Sequence, residues 1–548
     1  MPGRKLRTRP FLLACLPAVL LAAGAQSDVC STESAVDCGR QIYRSGLRSD
    51  GSAIRATVQT DVPVPAAAAA CSGCHRRSGL GTAEAGRRSL PITAPTLAAP
   101  RTAAPARPAY DDTSLIRAIV QGIAADGRTL SALMPRYQLT GQDARALVAY
   151  LKVLGSDPAP GVGTGDIAVA TVISDDAPPG EQAAVEQVLA RYVEDKNAGM
   201  RREAQRAAAA RRHVYGERQA RAYRRWRLEV WRLRGPAATW EAQLERRYAR
   251  APVFALLSGT TGHDWSIVHQ FCERREIPCI LPLAEPPTEA EGGFYSLYFD
   301  AGARLAGRVT ANHIAARQGA NSPFPVVVAH DDSERGRSAW RAFSDRWREL
   351  QAGAPLREWR IDASAPRAPP DIESADPATP RVLVSWLDAA RTRRLLAQLG
   401  SHSLASTRVY TAEVFADWTH TELAAATLDR VWHVYPYRLP SSAGARFPRE
   451  EAWLRAKGLR HLDASTAGRV LFACHAFGEQ LTGIESNFSR DYFMEGLEHM
   501  LDGTAMTTLY PRTTLGSGQR FLSRGAFVIP LAAIKSRTSA ADAAWIPM

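Results

Sequence analysis

The sequence predicts a multidomain chain in which a small all-α domain is followed by a two-lobed α/β region, and three observations carry that expectation. At 548 residues the chain exceeds one ordinary core, and a prior of roughly 150 residues per domain argues for three or four compact units. The run at 155–165, GSDPAPGVGTG, is a linker by composition. Beyond it, apolar runs of strand length alternate with helical patterns, as in parallel sheets covered on both faces. Before it, only helical periodicity recurs.

The N-terminus comes first. Arg4, Lys5, Arg7 and Arg9 precede an apolar run over 11–23 and an Ala23-Gly24-Ala25 cleavage-like site, the pattern of a signal peptide over residues 1–25. A lipid-attachment reading at Cys15 is weaker, because the apolar stretch before it is too short. No later stretch has the roughly 18 apolar residues of a membrane span. The expected location is therefore a periplasm. The net charge of +13 comes almost wholly from Arg, with lysine only at Lys5, Lys152, Lys196, Lys457 and Lys535. On an exported chain that excess suits an acidic partner, and no nucleic-acid partner is expected.

Residues 26–154 form the expected helical domain. Gly39, Ile42 and Tyr43 lie on a short first helix. Residues 112–121 carry Leu115, Ile116, Ile119 and Val120 at helical spacing, and 141–154 carry Ala146, Leu147, Tyr150 and Leu151. Between the first helix and these two stands Cys71-Ser72-Gly73-Cys74-His75, the attachment pattern of a c-type haem. Each thiol adds across a vinyl group, and the histidine beside the second anchor sits over one face of the iron. A redox dithiol is the rival reading, but it has no use for His75. Met134, before Pro135 and ahead of the last helix, is the candidate for the opposite axial position, giving a low-spin haem of raised potential suited to single-electron transfer. Together these residues resemble a class I cytochrome c. The resemblance implies one covalent haem c held by Cys71, Cys74, His75 and Met134. The Pro- and Arg-rich segment 93–108 departs from the family pattern.

The remaining cysteines are an odd set. Cys272, at a helix end, and Cys279, at the next strand start, form the better candidate disulfide; Cys30 with Cys38 is the weaker one, and Cys474 is a spare buried thiol.

Residues 166–548 are expected to hold strands near 167–173, 226–232, 253–257, 279–283, 325–329, 381–386, 408–411 and 431–435, with helices near 180–197, 237–250, 263–275, 301–317, 338–350 and 389–399. This order resembles the type I periplasmic binding proteins of the branched-chain amino acid and amide class. The carrying segments include 167–173 (IAVATVI), 254–262 (FALLSGTTG), 277–282 (IPCILP), 326–332 (VVVAHDD) and 516–520 (GSGQR). The resemblance implies two lobes closing over a small organic solute at strand ends and helix N-termini. Ser258, Thr260 and Thr261 on one side, and Asp331 and Ser333 on the other, stand at strand-to-helix turns and are candidate ligand contacts; simple helix capping is the competing role. An acidic residue near Glu413 pairs with a ligand amine in relatives, so Glu413 joins them. The Arg-rich stretch 200–225 departs most from the family. It is either a solvated helix face or a docking surface for an acidic redox partner.

The combined expectation is an electron carrier fused to a solute-binding module in a periplasmic oxidation pathway, with a dehydrogenase or another cytochrome as redox partner, and not an enzyme. The alternative is the receptor of an ABC importer, docking on its permease, with an accessory haem domain.

Overall fold

The computed structural model describes residues 34–548 except 60, 85–86, 157, 210–223, 263–264, 288–291, 318–323, 351–354, 362–380, 413–422, 424, 440–446, 485–486, 504–508, 516–517 and 536–542. Much of the Arg-rich stretch, and Glu413 and Cys30, lie outside the described residues. The chain divides into two compact units at Ser156 and Asp157, inside the segment expected to be a linker.

In the first unit the helices are α1 (Ala35–Ser45), α2 (Ser72–His75), α3 (Ala94–Ala98), α4 (Asp112–Val120) and α5 (Gly141–Leu151). The unit is not all-α. Strands β1 (Arg55–Val58), β2 (Val62–Val64) and β5 (Arg136–Gln138) form an antiparallel sheet in the order β2-β1-β5, and β3 (Ala83–Glu84) pairs with β4 (Arg87–Arg88). α4 and α5 begin at reciprocal capping boxes, Asp111 with Ser114 and Thr140 with Asp143, each satisfying N–H groups that the first helical turn leaves without partners. Ile42, Tyr43, Leu115, Ile119, Leu147, Tyr150 and Leu151 share one core. α1 meets α5 backbone to backbone at Gly39, where a Cβ would stand 2.0 Å from the Ala146 carbonyl oxygen.

The second unit holds two sheets. The first is parallel throughout, in the order β16-β10-β9-β8-β6-β7, from β6 (Asp166–Ser174), β7 (Arg225–Leu233), β8 (Ala255–Leu257), β9 (Cys279–Ile280), β10 (Ser296–Asp300) and β16 (Phe521–Ser523). The second runs β12-β11-β13-β14-β15-β17-β18, from β11 (Val326–His330), β12 (Leu356–Arg360), β13 (Arg381–Trp386), β14 (Thr407–Ala412), β15 (Val431–Tyr435), β17 (Gly525–Pro530) and β18 (Ile546–Pro547). It is parallel until the antiparallel β17 and β18. Parallel neighbours need crossovers, and helices supply them: α6 (Pro179–Ala209), α7 (Trp240–Arg250), α8 (Ser266–Arg275), α9 (Gly302–Arg317), α10 (Glu334–Glu349), α11 (Ala389–Ser406), α12 (Ala425–Leu428), α13 (Pro448–Ala456), α14 (Ala464–Gly483), α15 (Arg490–Gly503) and α16 (Leu531–Lys535). β6 is buried from Ile167 to Ser174, and β13 along its whole length, as strands covered on both faces must be.

The chain passes between the sheets three times: after β10 into α9, which packs on α10; after β15 into the helices that return α14 to α6; and between β16 and β17, where Arg524 alone intervenes. In the first lobe Arg490, at the start of α15, donates to the carbonyls of Val253, Phe254, Arg275, Glu276 and Pro160 at 2.6–3.3 Å. Two of these acceptors close α8, so the buried cation sits at the negative end of that helix.

Two stability predictions follow from this packing. Helix propensity favours Ala over Gly by about 1 kcal/mol, yet the contact at Ala146 makes Gly39→Ala an overpacking change, expected to destabilise the first unit by about 2 kcal/mol or more in a denaturant titration. In the second unit, Arg317 Nε donates to His313 Nε2 at 2.8 Å, which requires a neutral imidazole. Burial, then Arg317 and Arg408, pull the His313 pKa from 6.5 down to about 3. The unfolded chain therefore takes up a proton that the folded one refuses. Stability is full above the unfolded value and falls as pH drops below it, by about 2 kcal/mol near pH 5. Urea midpoints at neutral and mildly acidic pH measure this, and His313→Gln flattens the slope.

Candidate functional site

The candidate haem-attachment residues occupy one helical turn. His75 N donates to Cys71 O at 2.9 Å and Cys74 N to the same oxygen at 3.2 Å, so both sulfurs and the imidazole leave a single turn of backbone. Two contacts tie that turn to α1: Tyr43 OH donates to Arg76 O at 2.7 Å, and Ser72 Oγ to Arg44 O at 3.0 Å. Cys74 is exposed and Cys71 half-buried, and burial pushes the Cys71 thiol up to about 11.

His75 Nδ1 lies 3.0 Å from Leu90 O. A carbonyl can only accept, so Nδ1 carries the proton and Nε2 keeps its lone pair. Burial also lowers the His75 pKa, which favours the neutral ring that a metal binds. Met134 stands half-buried in the loop before β5. Arg136 laces that loop, donating to the carbonyls of Met134, Leu130 and Ser131 at 2.6, 3.1 and 3.3 Å. Gly122, at φ 69°, makes room for it, since a Cβ there would stand 2.0 Å from the guanidinium. Tyr137, three residues after Met134, contacts Cys71 with its hydroxyl 3.8 Å from Sγ, anchoring the Met134 loop beside the attachment turn. Two thiols, a neutral imidazole with a free Nε2 and a thioether fit a covalently held haem with His75 and Met134 as axial ligands.

In the second unit a cavity of about 380 Å³ opens at the carboxyl ends of both sheets, where open α/β sheets hold ligands. Leu283, Phe299 and Val434 give it apolar wall, and Glu181, Glu285, Asp300, Arg335, Ser465, Thr466 and Arg469 give it polar wall. Thr260 Oγ1 donates to Glu181. Asp300 accepts from Gly302 N at 2.7 Å and Tyr510 OH at 2.8 Å, and Tyr510 stacks on Phe299. Glu285 accepts from Ala303 N at 2.9 Å and pairs with Arg335. Burial raises the Glu285 pKa.

The ligand contacts expected from sequence are placed differently. Ser258, Thr260 and Thr261 are buried behind the wall rather than in it; Thr260 acts through Glu181. Asp331 accepts from Ser333 N and Oγ at 3.1 and 2.5 Å and pairs with Arg391 at 2.9 Å, while Ser333 Oγ accepts from Gly336 N at 3.0 Å. They close the N-terminus of α10, where capping outcompetes an open ligand site, and neither lines the cavity. Ala412, the neighbour of Glu413, does line it. Glu181, Asp300 and Arg469 were missed. Asp300 ends a strand whose SLYFD pattern is too short to stand out, and Arg469 sits within a helix without a local signature.

Cys272 and Cys279 are not a disulfide. They are fully buried free thiols, hydrogen-bonded to each other where α8 runs into β9, so their proximity was legible but not their redox state. Cys474 is a buried free thiol. Cys38 is disulfide-bonded. Among the described residues, no helix is long and apolar enough to cross a membrane.

No curated protein matches the chain. Solved structures similar in fold include a fatty acid ABC transporter substrate-binding protein from Thermomonospora curvata (13% identity, 71% of this chain and 94% of that one, TM-score 0.45). A leucine-binding protein from Thermotoga maritima matches at 11% identity over 69% of this chain and 97% of its own, with a TM-score of 0.46. A branched-chain amino acid transporter substrate-binding protein from Streptococcus pneumoniae, in complex with isoleucine, matches at 11% over 70% of this chain and 100% of its own, with a TM-score of 0.46. The family model for cytochrome c matches residues 65–155, the stretch that carries Cys71, Cys74, His75 and Met134; this part of the chain is a cytochrome c domain.

Proposed function

We propose that the chain is a periplasmic electron carrier in which one haem c, attached at Cys71 and Cys74 and held by His75 and Met134, serves single-electron transfer, while the second unit captures a small organic solute. The observation that carries the reading is the attachment turn: a neutral His75 whose Nδ1 is committed to Leu90 O, next to two thiols, within a cytochrome c domain. When bound, haem supplies a one-electron couple whose potential a thioether ligand raises. The chain's own residues do the rest. Leu90 O fixes the His75 tautomer and ring orientation. Arg136 holds the Met134 loop, and Tyr137 pins that loop against Cys71. If His75 and Met134 both hold the iron, no position would be left open for oxygen or peroxide chemistry, and on that ground the chain is read as a carrier and not an enzyme. The redox partner is a dehydrogenase or another cytochrome, in an oxidation pathway whose substrate the cavity senses.

The cavity between the lobes also favours a second reading, a receptor that delivers its solute to an ABC permease. The two readings differ in whether solute alters the electron carrier.

Two outcomes are expected. Met134→Ala removes the sulfur ligand, so the potential falls by a substantial part of the roughly 0.8 V over which axial ligands move haem potentials, and the low-spin spectrum changes; an unaltered spectrum removes Met134 from the iron. A solute that binds the full haem-loaded chain is expected to shift its reduction potential, measured by spectroelectrochemistry with and without it. By linkage, a shift of 59 mV reports a tenfold difference in solute affinity between the two oxidation states. Binding with no shift supports the receptor reading instead.

A further inference from the structure

The geometry points to Arg469 as the anchor of a carboxylate-bearing ligand in the interlobe cavity. This inference rests on reading that cavity as the solute site and names the chemistry it selects.

The donors and acceptors around the cavity do not balance. Each carboxylate on its wall has a protein partner of its own: Glu181 has Thr260, Asp300 has Gly302 N and Tyr510, and Glu285 has Ala303 N at Oε2 and an ion pair with Arg335 at Oε1, although Oε1 is buried without a hydrogen bond. Arg335 is likewise paired, with Glu285. Arg469 is the exception. It projects from the second turn of α14 into the same wall, its Nε is buried with no hydrogen-bond partner, and no carboxylate among the described residues lies within ion-pair distance of it. Burial works against its charge, yet the surrounding acidic groups, Tyr437, Tyr510, Glu181 and Asp300, keep it firmly protonated.

A buried guanidinium N–H without a partner is costly. The guanidinium is also a planar fork that matches a carboxylate with two parallel hydrogen bonds. The N-terminal turn of α14, with Ser465 and Thr466, lines the same cavity, but Asp463 caps it by accepting from Thr466 N at 2.7 Å and from Ser465 Oγ at 2.5 Å, so the attraction for an anion rests on Arg469 and not on the helix end. Leu283, Phe299, Leu305 and Val434 supply wall for an apolar body, and a volume of about 380 Å³ suits a small molecule. The ligand class is thus a small carboxylate with an apolar side. Simple organic acids and amino acids share that group, and the carboxylates near Arg469 are what would separate them, by welcoming an ammonium.

The test uses the full haem-loaded chain and matched probes at millimolar concentration: isovalerate, benzoate and valine, against the neutral isovaleramide and benzamide. Binding is read by calorimetry and by the shift in melting temperature of the second unit. At least one carboxylate is expected to bind, the amides are not, and Arg469→Gln is expected to weaken that binding at least tenfold while Arg469→Lys retains part of it. Valine binding above isovalerate assigns an amino acid, and the reverse assigns a simple acid. Amides that bind as well as their acids, or an Arg469→Gln variant that folds and binds unchanged, overturn the anchor while leaving the cavity a solute site. If none of the probes binds the wild-type chain, the anchor and the solute reading fall together.

Discussion

Everything in the second unit depends on how often the chain changes sheets. Three passages, one of them the single residue Arg524, oblige two parallel sheets to share one cleft, and parallel strands oblige their carboxyl ends to open on it. The segments after β6, β9 and β10 on one side, and after β11, β14 and β15 on the other, are therefore the ones that reach the cavity. A surface of this kind is where a fold can place charge without disturbing its core, and here it places three carboxylates and two guanidiniums. The core of each sheet is largely apolar, and the cations that enter it are met in two ways: Arg490 by backbone carbonyls at the end of a helix, and Arg520 by the carbonyls of Ser296 and Phe294 together with Glu498.

The cytochrome domain uses the opposite strategy. Its function needs a few atoms held firmly within a small core, and small domains bury little surface to hold them with. Close backbone approach compensates. The α1–α5 crossing at Gly39 brings Tyr43 and Tyr150 together, with ring centroids 5.3 Å apart, and Tyr43 then reaches the carbonyl of Arg76 immediately after the attachment turn. The turn that carries the proposed haem-attachment residues is thus tied to the helix crossing through one phenol. In the loop before β5, the Arg136 guanidinium and the room left by Gly122 fix the backbone around Met134, as Leu90 O fixes the His75 ring.

Much of this was legible in the sequence where local chemistry determines it. The strands 381–386 and 431–435 lie where their apolar runs place them, and Cys71, Cys74 and His75 need no fold to declare a c-type haem site. What stayed hidden was set by tertiary partners. Polar edge strands such as β12, with its LREWR pattern, lack a buried face to read, and the small sheet of the first unit is held by β5 pairing across most of that domain. Asp331 and Ser333 carry the same residue types whether they cap a helix or bind a ligand, and only their hydrogen bonds decide. Arg469 shows the limit most clearly. Its place in the cavity comes from helices returning to the first lobe, and the lack of a hydrogen-bond partner for its Nε among the described residues is a property of every neighbour at once.

The central claim is that His75 and Met134 leave the iron no vacant position, so that this is a carrier of electrons rather than a haem that binds or activates a gas. The most direct test is to reduce the full haem-loaded chain and expose it to carbon monoxide while recording the visible spectrum. A low-spin spectrum that does not change with carbon monoxide is predicted, because His75 and Met134 would together hold both faces of the iron. Formation of a carbon monoxide complex under native conditions would contradict it and turn the first unit into a gas-binding or catalytic site.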